Sequence, residues 1–156
     1  MGGKKSCFVL ISLVTPPYER YEKVKKEKAL LTDDQIKSAL KKVSLLEPFH
    51  NEHYDCVRIA YEWLDAQKKI KGTMKRKLPL KHIVESWGSR YVSTTDVEAA
   101  AILHPLIVGK YPSYNLSARL VRPSDSRLNV IGEAGKHEQY RSKHDRDAWG
   151  IYKGDE

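Results

Sequence analysis

LPLKHIVESWGSRYVSTTDVEAAAILH, residues 78–104, is the stretch that decides how this chain folds. Leu80, Ile83, Val84 and Trp87 recur at helical spacing, Pro79 suits a first helical turn, and Gly88 supplies a stop. After a short turn through Arg90 and Tyr91 a second helix is expected, DVEAAAILH, capped by Thr95 and favoured at its start by Asp96 and Glu98. Pro105 limits its length, and its alanines permit close approach to a neighbouring helix. Helix, turn and helix followed by strands is the order of a winged helix. In that architecture the second helix enters the major groove and presents donors to base edges. This one holds no Lys or Arg, so direct base readout is not expected from it.

Working upstream, Thr32 and Gln35 form a T-x-x-Q capping box before Ile36, Leu40 and Val43, which share a face, and Pro48 ends that helix. Asn51 is placed to cap the next one, HYDCVRIAYEWLDAQKK (residues 53–69). Its apolar stripe is Val57, Ala60, Tyr61 and Leu64, with Cys56, Ile59 and Trp63 at the edge. The short Pro-containing turn predicts an antiparallel pair.

Downstream of Gly109 the composition changes. Two short alternating stretches, 116–121 and 127–131, flank Pro-Ser-Asp-Ser and predict a β-hairpin. The fold expected is α+β and mainly helical, with three or four helices and a C-terminal hairpin. Residues 1–30 read as an N-terminal strand or extension plus a charged linker, 31–134 as one compact domain, and 135–156 as a polar tail. Gly2 and Ser6 match a loose myristoylation pattern, but a buried strand over residues 8–14 is the simpler expectation. That apolar run is too short to span a bilayer, and no transmembrane segment is expected.

Between the second and third helices lies QKKIKGTMKRKLPLKH, residues 67–82, without a single acid. Lys68, Lys69, Lys71, Lys75, Arg76, Lys77 and Lys81 are its cations. The whole chain of 156 residues carries 28 Lys and Arg against 20 Asp and Glu, a formal charge of +8. Such a field favours polyanions. Lysines on flexible stems follow a phosphate backbone and release counterions without reading bases. A basic run of this length also fits a nuclear address, or a solubilising loop. Arg119, Arg122 and Arg127 of the expected hairpin would extend a phosphate-binding surface, with Tyr111 and Tyr114 interleaved as possible stacking platforms.

Enzymatic readings are thinner. His50, His53 and Cys56 have no strong zinc spacing, and cap and core roles suit them better. Glu85, Asp96, Glu98 and Lys81 are the residues from which a metal-dependent nuclease would be assembled. There is no G-x-S-x-G, H-E-x-x-H or phosphate-loop motif. The expectation is therefore a non-catalytic protein binding DNA or RNA through phosphates, without metal or cofactor, in cytoplasm or nucleus. The alternatives are a small regulatory domain that holds a protein partner through Tyr61, Trp63 or Trp87, and the nuclease.

Overall fold

A computed structural model describes residues 29–43, 52–141 and 150–156, and the architecture that follows is that of the unit Leu31–Glu156. The expected strand over 8–14, the linker 18–28, the Asn51 cap, Pro48, His50 and Trp149 lie outside the described residues. The described residues form helices α1 (Asp33–Val43), α2 (Asp55–Ala66), α3 (Leu80–Gly88) and α4 (Thr94–Leu103), with a 3-10 turn at Asp125–Leu128. Four short strands complete them: β1 (Gly109–Lys110), β2 (Ser113–Tyr114), β3 (Leu120–Arg122) and β4 (Tyr152–Asp155). The fold is α+β and mainly helical, as its sequence predicts. None of these helices is long and apolar enough to cross a membrane.

Helix α1 begins where its sequence asks it to. The Thr32 hydroxyl accepts the Gln35 amide N–H at 3.3 Å, and the Gln35 side chain accepts the Thr32 N–H at 2.9 Å. Asp33 and Asp34 stand at its positive end, Lys41 and Lys42 at its negative end. Ile36, Ala39 and Leu40 are buried. A fully buried aliphatic side chain of this kind contributes about 1.5–3 kcal/mol.

α4 packs against both α1 and α2. Ala99 and Ala100 are wholly buried and Ala101 nearly so, because side chains this small let helix backbones come close. The helix is thus the centre of the core. Its acid content has a structural explanation: Asp96 completes a capping box with Ser93, one residue before the helix rather than at Thr95.

α3 meets α2 at Gly88. A Cβ there would sit 2.5 Å from Ile59 Cγ2, so the glycine is required by helix contact. The left-handed residue that ends α3 is Ser89, at φ 47°.

Helix α2 stops at Ala66, three residues short of the expected end. The cause is Gln67, whose side-chain amide donates to Val121 O at 2.8 Å and accepts from Val121 N at 2.9 Å. This two-bond exchange resembles a strand pairing and pulls the chain out of helical geometry. Trp63 then reaches Tyr152 Oη at 2.8 Å, and Trp87 reaches Pro123 O at 3.1 Å.

The strands differ from expectation in their partners. The antiparallel pair is β1 with β2, a tight turn whose Gly109 has φ +116° and leaves no room for a Cβ against Ser113 O. Leu120 and its neighbours pair in parallel with β4 instead, Leu120 opposite Tyr152. The stretch after Pro123 becomes a 3-10 turn capped by Ser124, and Arg127 points inward.

Candidate functional site

The basic run is a loop with a fixed backbone. Ser117 N–H donates to Lys68 O at 2.8 Å, Ile70 N–H to Asn115 O at 2.9 Å, and Met74 N–H to Tyr114 O at 2.8 Å. Lys69 and Leu116 face each other in an isolated antiparallel bridge. Met74 and Leu78 are buried and act as apolar pins on either side of the exposed tip. Local sequence explains this: apolar residues recur at Met74 and Leu78 among cations, so the core takes those two side chains and solvent takes the rest.

The ten basic residues singled out from sequence fall into two groups. Lys68, Lys71, Lys75, Arg76, Lys77 and Arg119 are exposed, and among the described residues no hydrogen bond or ion pair holds their side chains. The backbone bond from Ser117 to Lys68 places Arg119 two residues beyond a point of contact with the basic loop. Of the remaining four, Lys69, Lys81 and Arg127 are held by other groups, and Arg122 is exposed with only a loose surface ion pair. Lys69 Nζ donates to the carbonyls of Leu64, Asp65 and Gln67 at 2.9, 2.7 and 2.7 Å, closing the C-terminus of α2. Lys81 pairs with buried Glu85 at 3.3 Å and lies over the Tyr91 ring. Arg122 stands 3.7 Å from Asp125.

Arg127 is the furthest from its expected place. Its Nη1 donates to Glu62 at 2.7 Å and to Asp65 at 2.9 Å, and its Nε to Glu156 at 2.7 Å, with Nη2 on Glu156 as well. Burial alone would disfavour its charge, but these carboxylates override that and hold it firmly protonated. Asp65 is also bonded to His104 Nε2 at 3.0 Å. His104 Nδ1 accepts the Leu106 N–H, which assigns the ring proton to Nε2. Phosphate has no access to a guanidinium held in this way.

The other candidates resolve individually. Tyr114 is 2% exposed and cannot offer a face to a base, while half-buried Tyr111 accepts the Lys81 N–H on its hydroxyl at 3.3 Å. Trp63, Trp87 and Tyr61 belong to the core rather than to a docking patch. His53 Nδ1 accepts the Asp55 N–H at 3.0 Å, and buried Cys56 donates to Tyr91 O at 3.3 Å; these are cap and core roles. Burial, reinforced by Asp96, pushes the Cys56 thiol up to about 12. Glu85 accepts from Val92 N–H at 3.3 Å beside Lys81 and His82, and Asp96 holds its capping box. Among the described residues no group of three His, Cys, Asp or Glu is arranged to hold a metal ion.

Sequence reasoning missed one feature. A cleft of about 500 Å³ opens between the end of α1, the outer face of α4 and the β1–β2 turn. Lys42, Glu98, Ile102, Lys110, Tyr111 and Tyr114 are among its lining residues. They are scattered over more than 70 positions of chain, and no local spacing unites them. No family model, curated protein or solved structure matches the chain, so its chemistry has to be read from these side chains alone.

Proposed function

We propose that this protein binds the phosphodiester backbone of DNA or RNA, without catalysis, through the ridge formed by Lys68, Lys71, Lys75, Arg76, Lys77 and Arg119. One observation carries the reading: these cations are exposed and uncommitted, five of them on a loop whose backbone is already ordered by bonds to residues 114–117 and the sixth, Arg119, just after that segment. An ordered ridge loses little backbone entropy on binding, so its charges act on the phosphates at small conformational cost. Such contacts position a nucleic acid and do not specify its bases. Cytoplasm and nucleus both supply such partners.

Fluorescence anisotropy of labelled duplex and single-stranded oligonucleotides, titrated across salt, tests this. If the ridge neutralises about four phosphates, log K falls against log salt with a slope of roughly −3 to −4. The triple substitution Lys75→Ala, Arg76→Ala, Lys77→Ala flattens that slope by about three. Absence of binding at low salt defeats the proposal.

The regulatory protein-binding alternative has a different footing. Ile102, Leu106 and Val108 are exposed at 49, 46 and 66%, and would anchor a partner in place of the buried aromatics. Under that alternative Val108→Glu abolishes the partner complex, and the ridge triple substitution does not.

A further inference from the structure

The cleft between α1, α4 and the β1–β2 turn has an unusual set of free polar groups. Glu98 is half-buried on α4 and, among the described residues, has no hydrogen bond or ion pair. Tyr114 is 2% exposed, lines the same cleft, and its hydroxyl likewise has no partner there. Lys42 and Lys110 stand at the rim, and neither closes on Glu98. Buried polar groups are nearly always hydrogen-bonded, so a buried hydroxyl beside an unpaired carboxylate points to a missing partner. Burial pushes the Glu98 carboxyl above its ordinary range; burial, and then Glu98 itself, do the same to the Tyr114 hydroxyl. Both groups line the same cleft, so a single ligand can meet the two of them.

The wall is pre-formed. Asn115 accepts the Val108 N–H on its side chain at 2.7 Å and donates to Leu106 O at 2.9 Å, so the segment after α4 is tied to the β2 end of the turn. A cleft of about 500 Å³ with an apolar wall from Ile102 is of a size that takes a small organic ligand. The charge pattern narrows its class. A simple cation is repelled by the two lysines, and a simple anion by Glu98. An occupant that satisfies all four groups offers an acceptor to Tyr114, donors to Glu98, an apolar body to Ile102 and an anionic group to Lys42 and Lys110.

We propose that this cleft binds a guanine nucleotide, with the base edge on Glu98 and Tyr114 and the phosphate on Lys110 and Lys42. Guanine O6 accepts the Tyr114 hydroxyl proton, and N1–H and N2–H donate to the two Glu98 oxygens. Adenine reverses the pattern at its N6 and N1 and leaves both protein groups mispaired. The site is independent of the ridge, since a mononucleotide has no extended backbone to follow it.

The test is calorimetric titration of the full chain with guanosine 5′-monophosphate, adenosine 5′-monophosphate, guanosine and free lysine. The expected result is saturable binding of the guanine nucleotide, about tenfold or more tighter than the adenine one. Guanosine binds more weakly than its monophosphate, and Lys110→Gln removes most of that difference. Glu98→Gln abolishes the preference for guanine; Tyr114→Phe, which keeps the ring that packs, lowers it. A melting curve on each variant confirms folding. Failure to saturate at millimolar guanosine monophosphate overturns the proposal, as does equal affinity for the adenine nucleotide or an unaltered preference in Glu98→Gln. Binding of lysine in competition also overturns it, by making Glu98 an ammonium site. Oligothymidylate, which contains no guanine, reports the ridge separately, so the failure of one site is not mistaken for failure of the other.

Discussion

Arg127 and Asp65 meet at 2.9 Å across 62 residues of chain, joining the 3-10 turn to the last turn of α2. Glu62 and Glu156 complete the clamp, and His104 braces Asp65 from the opposite side. Two distant pieces of chain are thereby fixed to one helix by a single side chain.

Removing that side chain leaves buried Asp65, half-buried Glu62 and the more exposed Glu156 without their shared counter-charge. Arg127→Ala is expected to cost about 3–5 kcal/mol, read as a lowered urea midpoint at unchanged slope. Arg127→Lys recovers only part, because an ammonium cannot reproduce the fork that serves Glu62, Asp65 and Glu156 together. Nucleic-acid affinity of the folded fraction is unaltered.

Cys56 gives a pH-dependent signature. Its thiol ionises at about 12 when folded against 9.0 for the ordinary group, so the folded state holds the proton more tightly. The resulting stability is fully present below pH 9.0 and is lost as pH rises towards about 12. The sequence has one other cysteine, Cys7; with it replaced (Cys7→Ser), reaction of Cys56 with a thiol reagent at pH 8 should follow unfolding and be accelerated many-fold by urea. Rapid labelling of the native protein contradicts this account.

Lys68 and Lys69 are neighbours with opposite roles. Lys69→Ala removes three bonds to the carbonyls of Leu64, Asp65 and Gln67 at the end of α2 and should lower stability by about 1–3 kcal/mol. Lys68→Ala touches no bond and leaves the melting temperature alone, while reducing the salt slope of nucleic-acid binding by about one. Equal effects of the two on both measurements contradict the division.

The same pair illustrates what the sequence can tell. Features carried by near neighbours were legible: the Thr32–Gln35 box, the buried Ile36 and Leu40, the stop around Gly88. What each cation does with its charge was not legible, whether its partners are near in sequence, as for Lys69, or far away, as for Arg127. A lysine reads as exposed whether it faces solvent, as Lys68 does, or caps a helix, as Lys69 does. Arg127 reads as a hairpin cation until Glu62 and Asp65 are brought to it, and β3 has a parallel partner that no local pattern announces. The cleft was invisible for the same reason, since Lys42, Glu98 and Tyr114 converge only in three dimensions.

Gly88 tests the helix contact at the heart of the fold. On helix propensity alone, Gly88→Ala would stabilise α3 by about 1 kcal/mol. The added Cβ would instead stand 2.5 Å from Ile59 Cγ2, a branch of a wholly buried side chain with no free direction to move. Overpacking of this kind costs about 1–3 kcal/mol, and the substitution should destabilise. Ile59→Ala is destabilising by itself, but it removes the obstructing methyl and makes room for the new Cβ. In the double variant the two losses should therefore be less than additive, with a coupling of about 1 kcal/mol or more in a denaturant cycle. Strict additivity means that α3 and α2 adjust as rigid bodies, and that Gly88 is not what sets their approach.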